Sequence, residues 1–307
     1  MSRTMLVPLT SVVPNIDLLL VNLFKARTYD EFRQIVTADV VYYLCQEMRT
    51  RLMSEPVLLP LTTEKRIVVI GDLHGQYFDL IRHFQVNGLP PTTIYLFLGD
   101  YVDRGKYSVE VLCLLYALKV KYPDCVYIVR GDHECSRVNR RGGFYSECLR
   151  DFSSLYPWNA FVSTFNVMPF AAIIDGKILC IHGGLSPLLE QIGQLKKIER
   201  PVDIPHEGLL RDIVWSDFFE EQEGYGDNER RETSFVFGKE QLDLFLKKNN
   251  LVGIIRGHEL VNTGFLVEGN CITVFSACQY VGCFDNSSAA VIVEKGLKIS
   301  FSVCYSL

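Results

Sequence analysis

Aspartates and histidines recur in five short, glycine-containing blocks of this chain, and these are the residues best suited to chemistry. Four of the six histidines lie in the blocks. The blocks are Gly71-Asp72-Leu73-His74, Gly99-Asp100-Tyr101-Val102-Asp103-Arg104, Arg130-Gly131-Asp132-His133-Glu134, His182-Gly183-Gly184 and Arg256-Gly257-His258. Carboxylate and imidazole donors without thiolates suit Mn, Fe or Zn rather than Ca or a structural zinc site. Because one tetrahedral ion needs fewer ligands, the pattern predicts two divalent ions that share a bridging carboxylate.

This ligand set predicts a particular kind of reaction. Two ions roughly 3.5–4 Å apart activate water near neutral pH and hold the oxygens of a transferring phosphoryl group. Asp103 and His133 stand beside the predicted ligands, and an Asp–His couple there is suited to protonating an alkoxide leaving group. Arg104 offers paired donors for phosphate oxygens. The residues therefore favour hydrolysis of a phosphoester.

Each block follows a short apolar run that is rich in Val, Ile and Tyr and too short for a helix. The helical patterns Tyr77–Gln85 and Ser108–Lys121 separate the first three runs, which predicts a βαβαβ unit with a parallel sheet. Ligands of such sheets bind beyond the carboxyl ends of the strands, where glycine lets the backbone bend sharply. The predicted strands are Arg66–Ile70, Thr93–Leu98, Cys125–Val129, Lys177–Ile181 and Val252–Ile255.

The rest of the chain predicts one α/β catalytic domain over residues 1–307. Helical patterns fill Asn15–Lys25 and roughly Tyr29–Ser54, so we expect an N-terminal helical region over residues 1–60 and the metal-binding core over residues 61–307. No internal repeat or linker divides the chain. The polar stretch Glu220–Glu232 is predicted to be one long surface loop.

Composition excludes several classes of protein. With 48% hydrophobic and 22% charged residues, the 307-residue chain is globular rather than disordered or fibrous. A formal net charge of −5 does not favour nucleic acid or an anionic membrane as a partner. The apolar stretch Ile16–Phe24 is too short to span a bilayer, and we expect no membrane partner. The ten cysteines form no C-x2-C pair and predict reduced thiols of the cytoplasm, with the nucleus as a second location.

The blocks resemble those of the PPP-family serine/threonine protein phosphatases. The resemblance extends from Asn15 to Phe301 and implies a calcineurin-like metallophosphoesterase fold, a central β-sandwich of mixed sheets flanked by helices. Trp215–Gly238 and the Phe284-Asp285-Asn286 sequence are most similar to type 1 enzymes. Further matching segments are His182-Gly183-Gly184-Leu185-Ser186-Pro187, Trp215-Ser216-Asp217, Ser234-Phe235-Val236-Phe237-Gly238 and Phe275-Ser276-Ala277.

The resemblance also implies a role for each site residue and an activity on phosphoserine and phosphothreonine. His133, oriented by Asp103, would protonate the leaving Ser or Thr oxygen. Arg104 and Arg231 would grip the phosphate, with Arg230 as the alternative to Arg231. The first ion would be held by Asp72, His74 and bridging Asp100, and the second by Asp100, Asp132, His182 and His258. Asp132 would also lie near the phosphate, as would Tyr280, which belongs to a loop over the site.

The third block departs from the family pattern. Asp132 stands where the family has Asn, whose amide can donate to phosphate. An ionised Asp cannot donate, and it adds a negative charge beside a dianionic substrate. At ~5 Å and an effective dielectric near 20, the repulsion is about 3 kcal/mol before screening by metal ions. We therefore expect catalysis to be reduced rather than abolished.

A second departure concerns the docking of regulatory subunits. Type 1 enzymes bind them through a hydrophobic groove that takes an RVxF-type strand. Gly253 and Lys298 replace bulky apolar residues of that groove, so we expect it to be partly altered. The same residues fit an ordinary sheet core equally well. The residues that match the groove lining are Ile178, Ile272, Leu297, Ile299 and Phe301.

Two other functions stay open from the sequence. One is a pseudophosphatase, a binding module that holds phosphoproteins with little or no turnover, which Asp132 and the altered Cys278-Gln279 loop favour. Intact Asp103, His133 and the predicted metal ligands disfavour it. The other is a metallophosphoesterase acting on nucleotides, which the long match beyond the metal-binding blocks disfavours.

Overall fold

The computed structural model describes residues 13–305; residues 1–12 and 306–307 of the predicted domain lie outside them. The strands in chain order are β1 (Leu58–Leu61), β2 (Ile67–Ile70), β3 (Ile94–Phe97), β4 (Val126–Ile128), β5 (Ala171–Ile174), β6 (Ile178–Ile181), β7 (Asp217–Phe218), β8 (Tyr225–Asp227), β9 (Phe235–Phe237), β10 (Gly253–Arg256), β11 (Phe265–Glu268), β12 (Cys271–Val274), β13 (Ser288–Glu294) and β14 (Lys298–Cys304). The α-helices are α1 (Ile16–Lys25), α2 (Tyr29–Ile35), α3 (Ala38–Ser54), α4 (Tyr77–Asn87), α5 (Ser108–Lys121), α6 (Ser136–Gly142), α7 (Phe144–Phe152), α8 (Tyr156–Phe165), α9 (Leu209–Trp215) and α10 (Lys239–Asn249).

Two mixed sheets form the centre of the molecule. The five-stranded sheet has the order β14-β13-β2-β3-β4, and β2, β3 and β4 run parallel, with α4 and α5 as their crossovers. This confirms the predicted βαβαβ unit. The predicted strands before His182 and His258 are β6 and β10, which pair in parallel in the six-stranded sheet β1-β5-β6-β10-β12-β11. The metal-binding blocks therefore come from both sheets.

The sheets face each other across an apolar core. Val69 of β2, Leu96 of β3 and Ile255 of β10 are fully buried in one cluster that both sheets share. β2 and β6 are buried along their whole length, which explains their continuous rather than alternating apolar sequences. Each such side chain contributes about 1.5–3 kcal/mol through burial. This burial keeps the strand ends in register on one edge of the sandwich.

The N-terminal helices pack on the outside of the five-stranded sheet through α5, whose residues 108–119 are all buried. The helical pattern predicted over roughly Tyr29–Ser54 is present as two helices, because α2 ends at Ile35 and α3 begins at Ala38. Thr37 starts the second helix by accepting from the backbone N–H of Val40. Strand β1 spans the boundary expected at residue 60 and pairs with β5 in the six-stranded sheet.

The predicted loop Glu220–Glu232 contains a strand, so that prediction is wrong in part. Its Tyr225–Asp227 segment is β8, which pairs antiparallel with β9 in the small sheet β7-β9-β8. A three-residue strand of Tyr, Gly and Asp shows no apolar alternation, and its pairing partner follows only later in the sequence. The Tyr225 hydroxyl anchors it by donating to the Ser186 carbonyl at 3.2 Å.

No helix within residues 13–305 combines the length and apolarity that crossing a membrane requires.

Candidate metal centre and active site

The ends of β2, β3, β6 and β10 converge on one buried site, where the backbone takes unusual conformations. His74, Asp100, Asp103, Arg104 and His258 all have positive φ angles, between 43° and 73°. Each such residue costs on the order of 1–3 kcal/mol unless its surroundings fix it. Here Leu73 and His74 donate their N–H groups to the Asp100 carbonyl at 3.0 and 2.9 Å. The hydrogen bonds thereby hold two strand ends together and aim their side chains inward.

One group of four buried side chains has donor atoms that lie within 4.8 Å of one another: Asp100, Asp132, His182 and His258. The Asp132 Oδ1 atom lies 3.0 Å from His182 Nε2 and 3.0 Å from His258 Nδ1. His182 Nε2 is also 3.4 Å from Asp100 Oδ1. All four residues were predicted as ligands of the second ion, and the structure brings all four together.

A second group consists of His74, Asp100 and His133. His74 Nε2 lies 3.4 Å from Asp100 Oδ2 and 3.8 Å from Asp72 Oδ2. Asp72, a predicted ligand of the first ion, is therefore adjacent to this group but not part of it. Its Oδ1 atom accepts from the His258 N–H at 3.0 Å. Asp100 belongs to both groups, as expected of the bridging residue.

Backbone carbonyls fix which ring nitrogen faces the site. His74 Nδ1 lies 2.9 Å from the Val102 carbonyl, and His182 Nδ1 lies 3.1 Å from the Leu98 carbonyl. A nitrogen that meets a carbonyl must carry the proton, so Nε2 of each ring is left with a free lone pair for a metal ion. His258 instead points Nδ1 at Asp132.

The donor set fits divalent cations. Asp72, Asp100 and Asp132 are at most 2% exposed, and carboxylates so close together repel one another unless a cation lies between them. Burial first, and then the charges of Asp132 and Asp72, raise the pKa of Asp100 above its ordinary value. Oxygen and imidazole donors without sulfur match Mn, Fe or Zn. The residues present therefore suit a divalent metal site.

Asp132 carries its negative charge into this site. Burial alone raises the pKa of its carboxyl, but His258, His133 and His182 reverse that effect and leave the pKa below the ordinary value. The carboxylate lies among imidazoles rather than against an arginine. It is a charged acceptor where the related enzymes have a neutral amide.

His133 and Asp103 form the predicted couple. His133 Nδ1 lies 2.6 Å from Asp103 Oδ2, and the other carboxylate oxygen accepts from the Phe144 N–H at 2.8 Å. Burial lowers the pKa of His133, but Asp132 and the Asp103 hydrogen bond outweigh it and raise the pKa above its ordinary value. His133 Nε2 faces the site, 3.9 Å from both Asp100 Oδ2 and Asp132 Oδ2. Both contacts thus favour the charged, proton-donating form of the imidazole.

Gly142 permits the close approach that holds Asp103. A Cβ atom at this position would lie 2.3 Å from the Asp103 Oδ2 atom. No side chain fits into that gap, so the end of α6 packs directly against the carboxylate. Glycine at 142 thereby contributes to the fixed position of Asp103 and, through it, of the His133 ring.

Of the two candidate arginines, Arg231 contacts the metal-binding residues. Its guanidinium donates to the His258 carbonyl and, through Nε, to Asp217 Oδ2 at 2.9 Å. Its side chain is 24% exposed, whereas that of Arg230 is 62% exposed and pairs with Asp217 and Glu259. Arg231 is therefore the better placed of the two for a phosphate.

Arg104 and Tyr280 lie next to other residues of the site. Arg104 is exposed and follows Asp103 directly. The Tyr280 ring centroid lies 5.2 Å from that of His74 and 5.1 Å from that of Phe275. Burial, together with the charge of Asp72, raises the pKa of Tyr280, so its phenol stays protonated and can donate.

Two buried acids support the site without having been assigned a role from the sequence. Glu134 accepts the N–H groups of Asp100, Tyr101 and Gly131 at 2.8–3.0 Å, which fixes the turn after β3. Asp217 accepts from both Arg231 and Arg256. Both lie in segments that carry the family resemblance, Arg-Gly-Asp-His-Glu and Trp-Ser-Asp. Each is the last residue of its motif, and this acidic position is the feature of the sequence that could have singled it out.

A buried Asp/His site that shares one carboxylate, at the edge of a mixed β-sandwich, defines the class of metal-dependent phosphoesterases. Residues 65–262 match the calcineurin-like phosphoesterase family. A solved serine/threonine protein phosphatase of Saccharomyces cerevisiae, described as similar to human phosphatase PP5, is 31% identical, with a TM-score of 0.84 over 89% of this chain and 91% of that one. The chain belongs to this family and, within it, to the serine/threonine protein phosphatases. This confirms the resemblance and the fold predicted from the sequence.

A more distant solved structure shares the fold alone. It is a cold-active protein-tyrosine phosphatase of a psychrophilic Shewanella species, 17% identical, with a TM-score of 0.57 over 82% of this chain and 83% of that one. The special similarity to type 1 enzymes stays a prediction.

Proposed function

We propose that this protein hydrolyses phosphoserine and phosphothreonine in phosphoproteins. The observation that carries the proposal is Asp100 shared between two groups of metal-binding side chains, with the His133–Asp103 couple directly beside it. The yeast relative is named as a serine/threonine phosphatase, which supports the same substrate class.

Two divalent ions, of Mn, Fe or Zn, would complete the site. Asp72, His74 and Asp100 would hold the first ion, and Asp100, Asp132, His182 and His258 the second. When bound, such ions make water a stronger nucleophile and neutralise the charge that develops on phosphate.

The chain's own residues supply the remaining steps. Arg104 and Arg231 bind the non-bridging phosphate oxygens, and Tyr280 donates from the loop over the site. His133 delivers the proton on Nε2 to the Ser or Thr oxygen as the ester bond breaks. Asp103 holds the ring in place and stabilises its charged form. Asp132 opposes the incoming dianion, and its charge lowers the rate without removing any other component.

Phosphate release from a phosphothreonine peptide with added Mn tests the proposal. The peptide should be hydrolysed, and p-nitrophenyl phosphate should be hydrolysed as well. Nucleotide phosphoesters at the same concentration should be poor substrates. A preference for nucleotides would contradict the protein substrate class. Absence of phosphate release with every metal tested would contradict the proposed activity.

A pseudophosphatase is the second candidate function, and Asp132 is the observation that favours it. In that case the protein would bind phosphopeptides through Arg104 and Arg231 and release little or no phosphate. The same peptide, followed by binding and by turnover, separates the two functions. Tight binding without turnover at any pH or metal would favour the binding module.

Replacing the shared carboxylate should empty both metal sites. Asp100→Asn removes the charge that both groups use, so we expect the metal content to fall from about two ions per chain to less than one. Elemental analysis of folded, Mn-supplemented protein measures it. Asp243→Asn is a matched control, because Asp243 is a half-exposed partner of Lys239 outside the site and should leave the content unchanged. An Asp100→Asn protein that retains two ions would contradict the bridging role.

For regulatory partners, we propose that an altered form of the RVxF-type groove is present. A cavity of about 330 Å³ is lined by Ile178, Gly253, Ile272, Ile299 and Phe301, but not by Leu297 or Lys298. β14 is an edge strand of its sheet, and an edge can pair with an added strand. One face of the Phe301 ring is already covered, because it stacks on the Phe265 ring with the two ring centroids 3.9 Å apart. Titration with an RVxF peptide should show weak binding, and saturation at nanomolar peptide would contradict the altered groove.

For location, we propose the cytoplasm, with the nucleus as a second site. The ten cysteines are all free thiols and only Cys283 is exposed, which supports a reducing compartment. Fractionation of cells that express the tagged protein tests this, and recovery in a secreted fraction would contradict it.

A further inference from the structure

A basic cavity of about 470 Å³ opens directly beside the proposed catalytic site. His133 and Arg104 form the wall that the cavity shares with that site. Within residues 13–305, no aspartate or glutamate lines it. The other arginines of its wall are Arg137, Arg141 and Arg211.

Most of this positive charge has no acidic partner. Among the salt bridges of residues 13–305, only Arg211 pairs with an acid, Asp212, at 2.6 Å. Arg137 donates to the Ile204 carbonyl at 2.9 Å and contacts the His206 ring. Arg141 makes no salt bridge within the same residues. The chain as a whole carries a net charge of −5, so this cluster is a local feature rather than a result of general basicity.

We infer that this cavity binds a second anionic group of the substrate, a carboxylate or a phosphate on a residue that flanks the phosphorylated one. The inference rests on the proposed function. Guanidinium groups pair bidentately with either oxyanion. Because Arg104 and His133 belong to both the cavity and the catalytic site, one peptide can reach both. In an extended peptide, side chains on the same face are about 7 Å apart, which allows one to occupy each place.

Peptides that differ only in their flanks test the inference. One has a single phosphothreonine between neutral residues, a second has glutamates two residues away from it on both sides, and a third has a non-hydrolysable phosphonate at those positions. We expect kcat/KM to be about tenfold higher for either anionic peptide, since two or three partly exposed ion pairs combine to about that factor. The preference should shrink in high salt. The glutamate and phosphonate peptides distinguish carboxylate from phosphate as the natural group.

Single substitutions show whether the cavity causes the preference. Arg141→Gln and Arg137→Gln should each lower the ratio of anionic to neutral kcat/KM severalfold. Arg140→Gln is a matched control, because Arg140 neighbours Arg141 but stacks on the Tyr145 ring, 5.2 Å from its centroid, and does not line the cavity. That variant should keep the wild-type ratio.

Two results would overturn the inference. One is hydrolysis of all peptides at equal rates, and the other is a loss of preference in Arg140→Gln as large as that in Arg141→Gln and Arg137→Gln. If no peptide is hydrolysed, the proposed function fails, but the cavity can still be tested. The same peptides with a phosphonate in place of phosphothreonine are then titrated by fluorescence anisotropy. Binding that is equal for neutral and acidic flanks would reject the cavity's role, and a preference lost in Arg141→Gln would support it.

Discussion

His133→Asn is expected to reduce kcat on phosphothreonine peptides by roughly 10²- to 10⁴-fold, the usual contribution of a general acid. The alkoxide of Ser or Thr is a poor leaving group and needs the proton that His133 carries. Asp132 and the Asp103 hydrogen bond raise the pKa of the imidazole and so favour its charged form, and asparagine has no comparable proton to donate. The measurement is steady-state kinetics on wild type and variant at saturating Mn.

An aryl phosphate separates this role from a general loss of structure. p-Nitrophenolate leaves without much protonation, so the variant should lose much less activity on p-nitrophenyl phosphate. Equal losses on both substrates would argue against proton donation. Metal content must be measured in parallel, because His133 also belongs to one of the two metal-binding groups. Loss of an ion in the variant would make His133 a ligand instead.

Asp132→Asn is expected to make the protein faster. The substitution removes a negative charge beside the substrate dianion and introduces an amide that can donate to phosphate, while its oxygen remains available to the second ion. After discounting for nearby cations, the gain should be about 1–2 kcal/mol, or roughly 5- to 30-fold in kcat/KM. Asp132 is buried and stays ionised next to three imidazoles, so its full charge acts on the site. Phosphopeptide kinetics measure the gain.

The same variant should also change the dependence on pH and on metal. Asp132 raises the pKa of His133, so its neutralisation lowers that pKa. The general acid must be protonated. As the pH rises, the variant should therefore lose activity at a lower pH than wild type does. The variant should also need more added Mn, because a neutral amide binds the second ion less tightly. A variant that is no faster at any pH would refute the charge argument.

Local sequence alone determined the chemistry of this protein and most of its scaffold. Five strands were predicted from short apolar runs, and each was found within two residues of its expected ends. Glycine-flanked aspartates and histidines directly after those runs were expected at strand ends, since short runs rich in Val, Ile and Tyr with glycine at their ends favour strands over helices. Their clustering at one site could therefore be predicted from their positions along the chain, whereas the grouping of Asp100, Asp132, His182 and His258 as ligands of one ion came from the family resemblance. The fold class followed from the order of the motifs.

Two details of the secondary structure were not predicted from the local pattern. The helical pattern over Tyr29–Ser54 is interrupted at Val36–Thr37, where the Thr37 side chain accepts from the Val40 N–H and caps α3. β8 has no strand signal of its own and exists because β9 pairs with it. For β8 the deciding interaction comes from a segment that follows later in the chain, and the local pattern does not contain it.

Tertiary structure alone decided the details on which catalysis depends. Arg231 and Arg230 are adjacent in sequence, and only the fold directs one of them to the His258 carbonyl. Gly142 lies about forty residues after Asp103, yet its missing side chain is what lets the chain close on that carboxylate. The basic cavity likewise combines residues from four separate segments of the chain. Contacts of this kind depend on the register and packing of two sheets, which residue types and spacing along the chain do not specify.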